Sequence, residues 1–351
     1  MNEMQPINVS PISRPFEIIS AMSRKLLVLL ALCVIAGIVA YKVWGSDFNW
    51  ALFRSSLSSM KTGWLAASII VTFATYWLRA IRWQLLLAPL KAVRILSLFS
   101  ITLVGFSAIF LLGRAGELAR PVWLARREKV ALSGSVATIV VERFLDILML
   151  IVAFVAALFA AEVPEGSSSV LATLRSAAWI IAAVAVCGLI ALFIARSNTA
   201  WVLRRIPFRR VRSWVDSFLQ GLSFLQDGRS LGLVLFQSAV IWVSIALQFW
   251  FMLLGMNFSV SVASATLVMV GAAIGSIAQI PAIGGGFQAG YVFCMTAFLQ
   301  VPLEQAVATS LMATVLSFIP TVAISLLFML TEGFSMRDLK PTVPRPESEI
   351  V

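Results

Sequence analysis

The chain contains no histidine and only three cysteines among its 351 residues. Without imidazole there is no Ser-His-Asp nucleophile, no His-bearing zinc site and no pH switch of the easiest kind. Cys33, Cys187 and Cys294 lie far apart, each inside an apolar run. They read as packing residues, not as a disulfide framework or metal site. Charge is scarce too: 12% of residues are Asp, Glu, Lys or Arg, against about 25% in an ordinary soluble domain. What the chain has instead is apolar surface, with 60% hydrophobic residues and a mean hydropathy of +0.96. A water-soluble fold could not hide so much of it, so the bilayer must act as solvent for most of the chain. A soluble globular enzyme, a disordered tail and a coiled coil are excluded together. The net charge of +11, from 27 basic and 16 acidic residues, then points to cytoplasmic loops and anionic headgroups, with no nucleic acid among the expected partners. No cofactor or metal is expected.

Six apolar runs are long enough to cross, and the basic residues orient them. Leu26–Trp44 follows Arg24 and Lys25 and is too long for a signal-peptide core. Trp64–Leu87 ends among Arg79, Arg82, Lys91 and Arg94, so that end is cytoplasmic. Leu132–Ala161 leads to Glu162, Pro164 and Glu165, an acidic and external loop. Ala177–Ala195 returns to a loop carrying Arg196, Arg204, Arg205, Arg209, Arg210 and Arg212. Leu231–Leu254 goes out, and Glu304–Leu330 comes back to a tail with Arg337, Lys340 and Arg345. Both termini are then cytoplasmic: a tail over residues 1–20, one transmembrane domain over 21–335 and a second tail over 336–351. Within residues 200–226, Trp214, Phe218, Leu222 and Leu225 share one helical face behind the arginines. That pattern suits an interfacial amphipathic helix or an ordinary solvated linker.

Two apolar stretches resist this scheme. Ile95–Leu112 begins in basic residues and is followed by another basic cluster at Arg126, Arg127 and Lys129. Val260–Leu299 breaks at Pro281 and Gly284, Gly285 and Gly286, where a helix would end. Re-entrant hairpins resolve both, the first from the cytoplasmic side and the second from outside. Non-helical backbone at membrane depth is tolerated only against protein or a wet cavity. Residues 61–161 and 231–331 then share one plan of crossing, hairpin, crossing. The sequence reading is an all-α polytopic membrane protein of six full transmembrane helices and two opposed re-entrant hairpins in an inverted repeat, a plan common among transporters. The competing reading is eight plain crossings.

A charge at mid-bilayer costs about 2.5–3.5 kcal/mol on insertion scales, so the few charges within the apolar runs are informative. Arg114, Glu117 and Arg120 recur every third residue around Gly113 and Gly116 at the first break. They form either an anionic-headgroup site of arginine forks and freed backbone N–H groups or a salt bridge that fixes the hairpin. Glu142 and Asp146 share a helix face, and Arg143 reaches Asp146 at i, i+3. Glu142 lies about 15 Å along its helix. Arg143 should pair with Asp146 or with Glu117 from the hairpin. These residues are either a proton-coupling site or a fixed interhelical ion network. Arg79 and Arg82, beside Trp77 and Trp83, are either snorkelling side chains in an aromatic belt or phosphate contacts. The second break offers backbone groups and the amides of Gln279 and Gln288; Pro281, Gly284, Gly285, Gly286 and Gln288 are its candidate contacts. A Walker lysine is absent there, and the alternative is tight packing by small residues.

Taken in order, Arg79-Ala80-Ile81-Arg82-Trp83, Gly113-Arg114-Ala115-Gly116-Glu117 with Arg120, Glu142-Arg143-Phe144-Leu145-Asp146 and the late glycine-rich break resemble the lysylphosphatidylglycerol synthase transmembrane-region family, also called flippase-like integral membrane proteins. The resemblance covers roughly residues 20–335. It implies a bacterial or archaeal inner-membrane protein that moves or presents lipids. In bifunctional relatives a separate soluble domain carries aminoacyl transfer. Only about twenty residues follow the last helix here, so this chain is not expected to be a lysyl-lipid synthase or another enzyme. Stand-alone relatives are associated with hopanoid or glycolipid export. Two departures stand out: Leu112 precedes the first motif where many relatives have proline, and Gln288 stands near the second break where many have glutamate. If proton coupling exists, Glu117, Glu142 or Asp146 would have to serve it. The expected function is a lipid transporter or flippase of a phospho-, glyco- or hopanoid-type lipid, with anionic membrane lipids as partners and a homo-oligomer possible. The alternatives are a membrane enzyme acting on lipid or polyprenyl phosphate and a non-transporting envelope assembly protein.

Overall fold

A computed structural model describes residues 48–162, 228–280 and 284–332, together with parts of 172–216. The chain divides into two compact units, Met1–Ala51 and Leu52–Val351. The expected crossing Leu26–Trp44, both tails, most of Ala177–Ala195 and most of the 200–226 segment lie outside the described residues. So do Pro281, Ala282 and Ile283 and the side chains of Arg114, Gln279 and Gly284's neighbour Ile280.

The described chain is helical throughout, apart from one pair of two-residue strands. Its elements are α1 (Trp50–Ser58), α2 (Thr62–Leu87), α3 (Ile95–Leu112), a 3-10 segment Gly113–Leu118, α4 (Ala119–Glu128), α5 (Leu132–Ala160), α6 (Thr199–Arg204), α7 (Gly228–Gly255), α8 (Val262–Gly275), a 3-10 turn Ser276–Ala278, β1 (Gln279–Ile280), β2 (Gly284–Gly285), α9 (Gly286–Ala297) and α10 (Leu303–Glu332). Among the described residues, four helices are long and apolar enough to cross a membrane: α2, α5, α7 and α10. Two shorter apolar helices accompany them, within 95–111 and 262–278. With so much apolar surface still facing outward, including Ile70, Ile147, Phe236, Ile319 and Leu330, the chain is an integral membrane protein.

α2 and α7 are the central pair and run antiparallel. Ser68 Oγ donates to the Gln248 carbonyl at 3.0 Å, and Gln237 Nε2 donates to the Leu78 carbonyl at 3.2 Å. Their contacts bring Arg82 and Ser238 together. α10 carries Pro320 inside its span. Proline has no N–H for the carbonyl one turn earlier, and the Thr321 hydroxyl covers the neighbouring Ser317 carbonyl at 2.6 Å.

α3 and α4 form one helical hairpin and α8 and α9 another. In the first, a Cβ on Gly116 would fall 2.2 Å from the Ala108 carbonyl oxygen. Only glycine lets the 3-10 segment lie so close to α3. In the second, a Cβ on Gly275 would lie 2.1 Å from the Gly286 carbonyl oxygen, and one on Gly290 would lie 2.0 Å from that of Gly271. The second break therefore begins at Gly275, six residues ahead of the expected Pro281, because the backbones must meet along this glycine seam. The Ser261 hydroxyl caps α8 by accepting from the Ser264 N–H at 3.1 Å.

The open ends of the two hairpins lie at opposite ends of α2. The open end of the first lies beside the end of α2, where Lys91 Nζ donates to the Glu128 carbonyl, and beside the end of α10, where Phe99 and Phe328 rings stand 6.2 Å apart. The open end of the second lies by the other ends of α2, α5 and α7. There Ser264 Oγ donates to the Glu162 carbonyl at 2.9 Å, Trp250 Nε1 donates to the Val260 carbonyl at 2.8 Å, and the Lys61 N–H reaches the Gly255 carbonyl at 2.8 Å. The closed tips meet, β1 touching the 113–118 segment.

Candidate functional site

Most of the charges singled out in the sequence converge where the tips meet. α2 supplies Arg79 and Arg82, one turn apart. α5 supplies Glu142, Arg143 and Asp146. α4 supplies Arg120, and the 3-10 segment supplies Glu117. Arg82 bridges both deep carboxylates, with Nη1 2.8 Å from Asp146 Oδ1 and Nη2 3.6 Å from Glu142 Oε1. Arg120 Nη1 donates to Glu142 Oε2 at 2.8 Å. Arg79 Nη1 stands 3.4 Å from Asp146 Oδ2. Arg143 holds two longer contacts, 3.9 Å to Glu117 Oε1 and 3.6 Å to Asp146 Oδ2.

Arg82 and Glu142 are wholly buried, and Arg79, Arg120 and Asp146 are nearly so. Such groups are tolerated at depth only when they neutralise one another. Aromatic rings complete the enclosure: the Arg120 guanidinium lies 4.4 Å over Trp83 and 5.7 Å from Phe106, and Arg79 lies 5.2 Å from Phe106. Cations over ring faces recover part of the lost hydration. Compensation is nonetheless incomplete. Among the described side chains four arginines face three carboxylates, and Arg82 Nε, Arg120 Nε and Nη2 and Arg143 Nε have no hydrogen-bond partner.

Only part of the cluster reaches open space. A cavity of about 410 Å³ has Arg79, Arg143 and Asp146 on its floor. Its walls are apolar, from Ile147, Leu150, Ile245, Phe249, Met269 and Ile277. A charged floor under apolar walls matches an amphiphile better than a sugar or a free ion.

Several expectations change here. Arg79 and Arg82 do not snorkel: they face the interior, because Asp146 and Glu142 on α5 lie opposite them. Glu117 and Arg120 turn to different partners. Glu117 sits in the 3-10 turn and points to Arg143, whereas Arg120 has passed into α4 and turns to Glu142. Arg143 makes both contacts offered to it as alternatives. Gly116 serves close packing, and so does Gly286, on which a Cβ would lie 2.2 Å from the Gly275 carbonyl oxygen. Gly285 occupies φ 70° at the start of α9, a conformation open to glycine. Gln288 Nε2 donates to Thr314 Oγ1 at 2.8 Å, tying α9 to α10.

Two contributors on α7 escaped the sequence reading. Ser238 Oγ accepts from Arg82 Nη1 at 3.2 Å while donating to the Val234 carbonyl, and Trp242 Nε1 donates to Asp146 Oδ1 at 3.4 Å. Their signal was a polar residue and an indole at i, i+4 on one face of an otherwise apolar run. Trp83 was assigned to a belt, but its Nε1 donates to Thr138 Oγ1 at 3.0 Å and its ring underlies Arg120.

Long apolar helices packed around a buried arginine–carboxylate network define a polytopic membrane protein. The chain matches the family model for the lysylphosphatidylglycerol synthase TM region over residues 28–325 and belongs to that family. Comparison with curated proteins finds no match. Membership makes it a membrane protein involved in lipid handling.

Proposed function

We propose that the protein is a lipid transporter of the flippase type in a bacterial inner membrane, with six crossings, two opposed re-entrant hairpins in an inverted repeat and both termini in the cytoplasm. The lipid's anionic headgroup would pass through the central cavity. One observation carries the proposal: a half-open cavity lined by Arg79, Arg143 and Asp146 lies among α2, α5, α7 and α8, bounded by Ser276 and Ile277 beside the second tip and by Arg143, which also contacts Glu117 in the first. A site between two tips inserted from opposite ends suits alternating access. Lys91, Arg94, Arg126, Arg127 and Lys129 at the first hairpin's open end support a cytoplasmic position for it. The family's association with lipids supports the choice of cargo. Transport is favoured over catalysis because Glu142 and Asp146 are each held by at least two arginines, which suits recognition more than general-base work.

The test is reconstitution into vesicles with fluorescent phosphatidylglycerol, following the lipid's accessibility to an impermeant reductant. The double variant Arg79→Gln, Arg143→Gln should slow exchange between leaflets by about tenfold or more, a barrier change of at least ~1.4 kcal/mol. Equal rates in wild type and variant would overturn the assigned site.

A further inference from the structure

We propose that α10 slides by one helical turn toward its C-terminal end, exchanging each hydrogen bond it holds with a neighbouring helix for the same bond one hydroxyl earlier along its own face. The proposal goes beyond the reading of the cavity as a lipid site: it concerns a movement of the fold and holds whatever the cargo.

α10 carries Ser310, Thr314, Ser317, Thr321 and Ser325 at steps of four, three, four and four residues. At 3.6 residues per turn they fall within about 80° of one face. Four helices reach this stripe, each through one polar side chain. Gln288 Nε2 on α9 donates to Thr314 Oγ1 at 2.8 Å, and Gln248 Nε2 on α7 donates to Ser317 Oγ at 3.1 Å. The Tyr76 hydroxyl on α2 bonds Thr321, and Ser107 Oγ on α3 stands 2.7 Å from Ser325 Oγ. Thr314, Thr321 and Ser325 give their own hydrogens to carbonyls one turn back. Toward the neighbouring helices they are therefore acceptors of one kind, and one can stand in for another. Ser310 is buried, and among the described residues its hydroxyl bonds only within α10, to the Val307 carbonyl.

This spare hydroxyl sets the direction. A step of one turn, about 5.4 Å, toward the C-terminal end brings Ser310 to Gln288, Thr314 to Gln248, Ser317 to Tyr76 and Thr321 to Ser107. No interhelical bond of the stripe is lost. A step the other way brings Met329 to Ser107 and strands its hydroxyl. Two ring contacts oppose the step. Phe318 stacks on Phe110 at 3.9 Å, and the Phe328 ring stands 6.2 Å from that of Phe99. They make the present register the resting one. The remaining surroundings yield. Leu311, Val315, Ile319 and Leu326 face outward, where lipid chains are equivalent neighbours in any register. A void of about 10 Å³ beside Ser68, Gln248 and Ser317, about the least that holds one water, leaves the seam loose at its middle. Gln300, in the turn from α9, holds φ 52°, a left-handed conformation that is relieved when the turn is drawn out. One-turn steps of one element past another are a known mode of switching. Because α9 and α3 are limbs of different hairpins, the step re-registers both against α10 at once.

Crosslinking in native membranes tests the step without any transport assay. The native cysteines are replaced by serine or alanine. Ser107→Cys is then paired with Ser325→Cys, with Thr321→Cys or with Met329→Cys, and disulfide formation is followed after adding an oxidant. The first pair reports the resting register, and its silence would overturn that register itself. Thr321 and Met329 each lie one turn, about 5.4 Å, from Ser325, so a helix that only fluctuates about a fixed place treats them alike. The Thr321→Cys pair should crosslink and the Met329→Cys pair should not. Ser310→Ala separates the stripe from looseness of other origin. It leaves every interhelical bond of the resting register in place, so the melting temperature and the Ser325→Cys rate should not change. It removes the acceptor that Gln288 meets after the step, so the Thr321→Cys rate should fall about fivefold, the worth of about one hydrogen bond. Equal crosslinking of the Thr321→Cys and Met329→Cys pairs, or none in either, overturns the slide. A Thr321→Cys rate untouched by Ser310→Ala overturns the stripe as its track. A failure of lipid exchange in reconstituted protein would sink the transport reading and leave both results standing.

Discussion

At the scale of residues, position in the network predicts two very different outcomes for adjacent side chains. Glu142 neutralises Arg120 and Arg82 in full burial. Glu142→Gln therefore strands buried cations and should cost about 3–5 kcal/mol. Arg143 is one-third exposed and makes only long contacts, so Arg143→Gln should cost about 0–1 kcal/mol. Unfolding of the purified proteins in mixed micelles by increasing ionic detergent checks the order; a larger loss at Arg143 would contradict it. The expense of charge in an apolar run made these residues visible in the sequence. Their partners were visible only where partner and residue share a helix, as for Arg143 and Asp146. Arg82 meets Glu142 across a gap of some sixty positions, and helical periodicity says nothing about which helix lies opposite. Arginine near a helix end beside tryptophan fits snorkelling equally well, so the inward turn of Arg79 and Arg82 needed the tertiary structure.

At the scale of elements, the second hairpin depends on bare backbone along its seam. Alanine at Gly275 or Gly290 would place a carbon within 2.1 Å of a carbonyl oxygen on the facing limb. Backbone cannot step aside as a side chain can, so α8 and α9 must splay. Gly275→Ala and Gly290→Ala should each lower the melting temperature and the yield of folded protein in membranes. Gly232→Ala, in α7 with nothing within 4 Å of the added carbon, should be neutral or stabilising by up to ~1 kcal/mol. A Gly232 variant as damaged as Gly275→Ala would show that composition, not the seam, sets the effect. The long helices were legible because nothing competes with an uninterrupted apolar run, and α3 begins and ends where its run does. The limits of α8 were not. The run from Val260 to Leu299 continues through Gly271 and Gly275, and only the approach of α9 shows why the helix stops at the second of them and not at the proline.

At the scale of the molecule, the proposed opposed insertion of the hairpins would place their loops on opposite sides of the membrane. Ala92 is exposed beside the open end of the first hairpin, next to Lys91 and Arg94. Ser259 is exposed at the open end of the second, near Glu162 and Ser264. The basic residues favour the cytoplasm for the first end, and the acidic loop at Glu162 suits the exterior for the second. The three native cysteines are first replaced by serine or alanine. Ala92→Cys and Ser259→Cys are then introduced singly and exposed to an impermeant maleimide. Ser259→Cys should label in intact cells and Ala92→Cys only in inverted vesicles. The experiment also separates the hairpin plan from eight plain crossings. If α3 and α4 crossed separately, the 113–118 segment would become an exposed outer loop. Glu117→Cys would then label freely from outside, whereas at a re-entrant tip it stays at membrane depth, where an impermeant reagent from outside reaches it slowly. Labelling of Glu117→Cys from outside as readily as Ser259→Cys would remove the central meeting of the tips and, with it, the placement of the arginine network at the middle of a transport path.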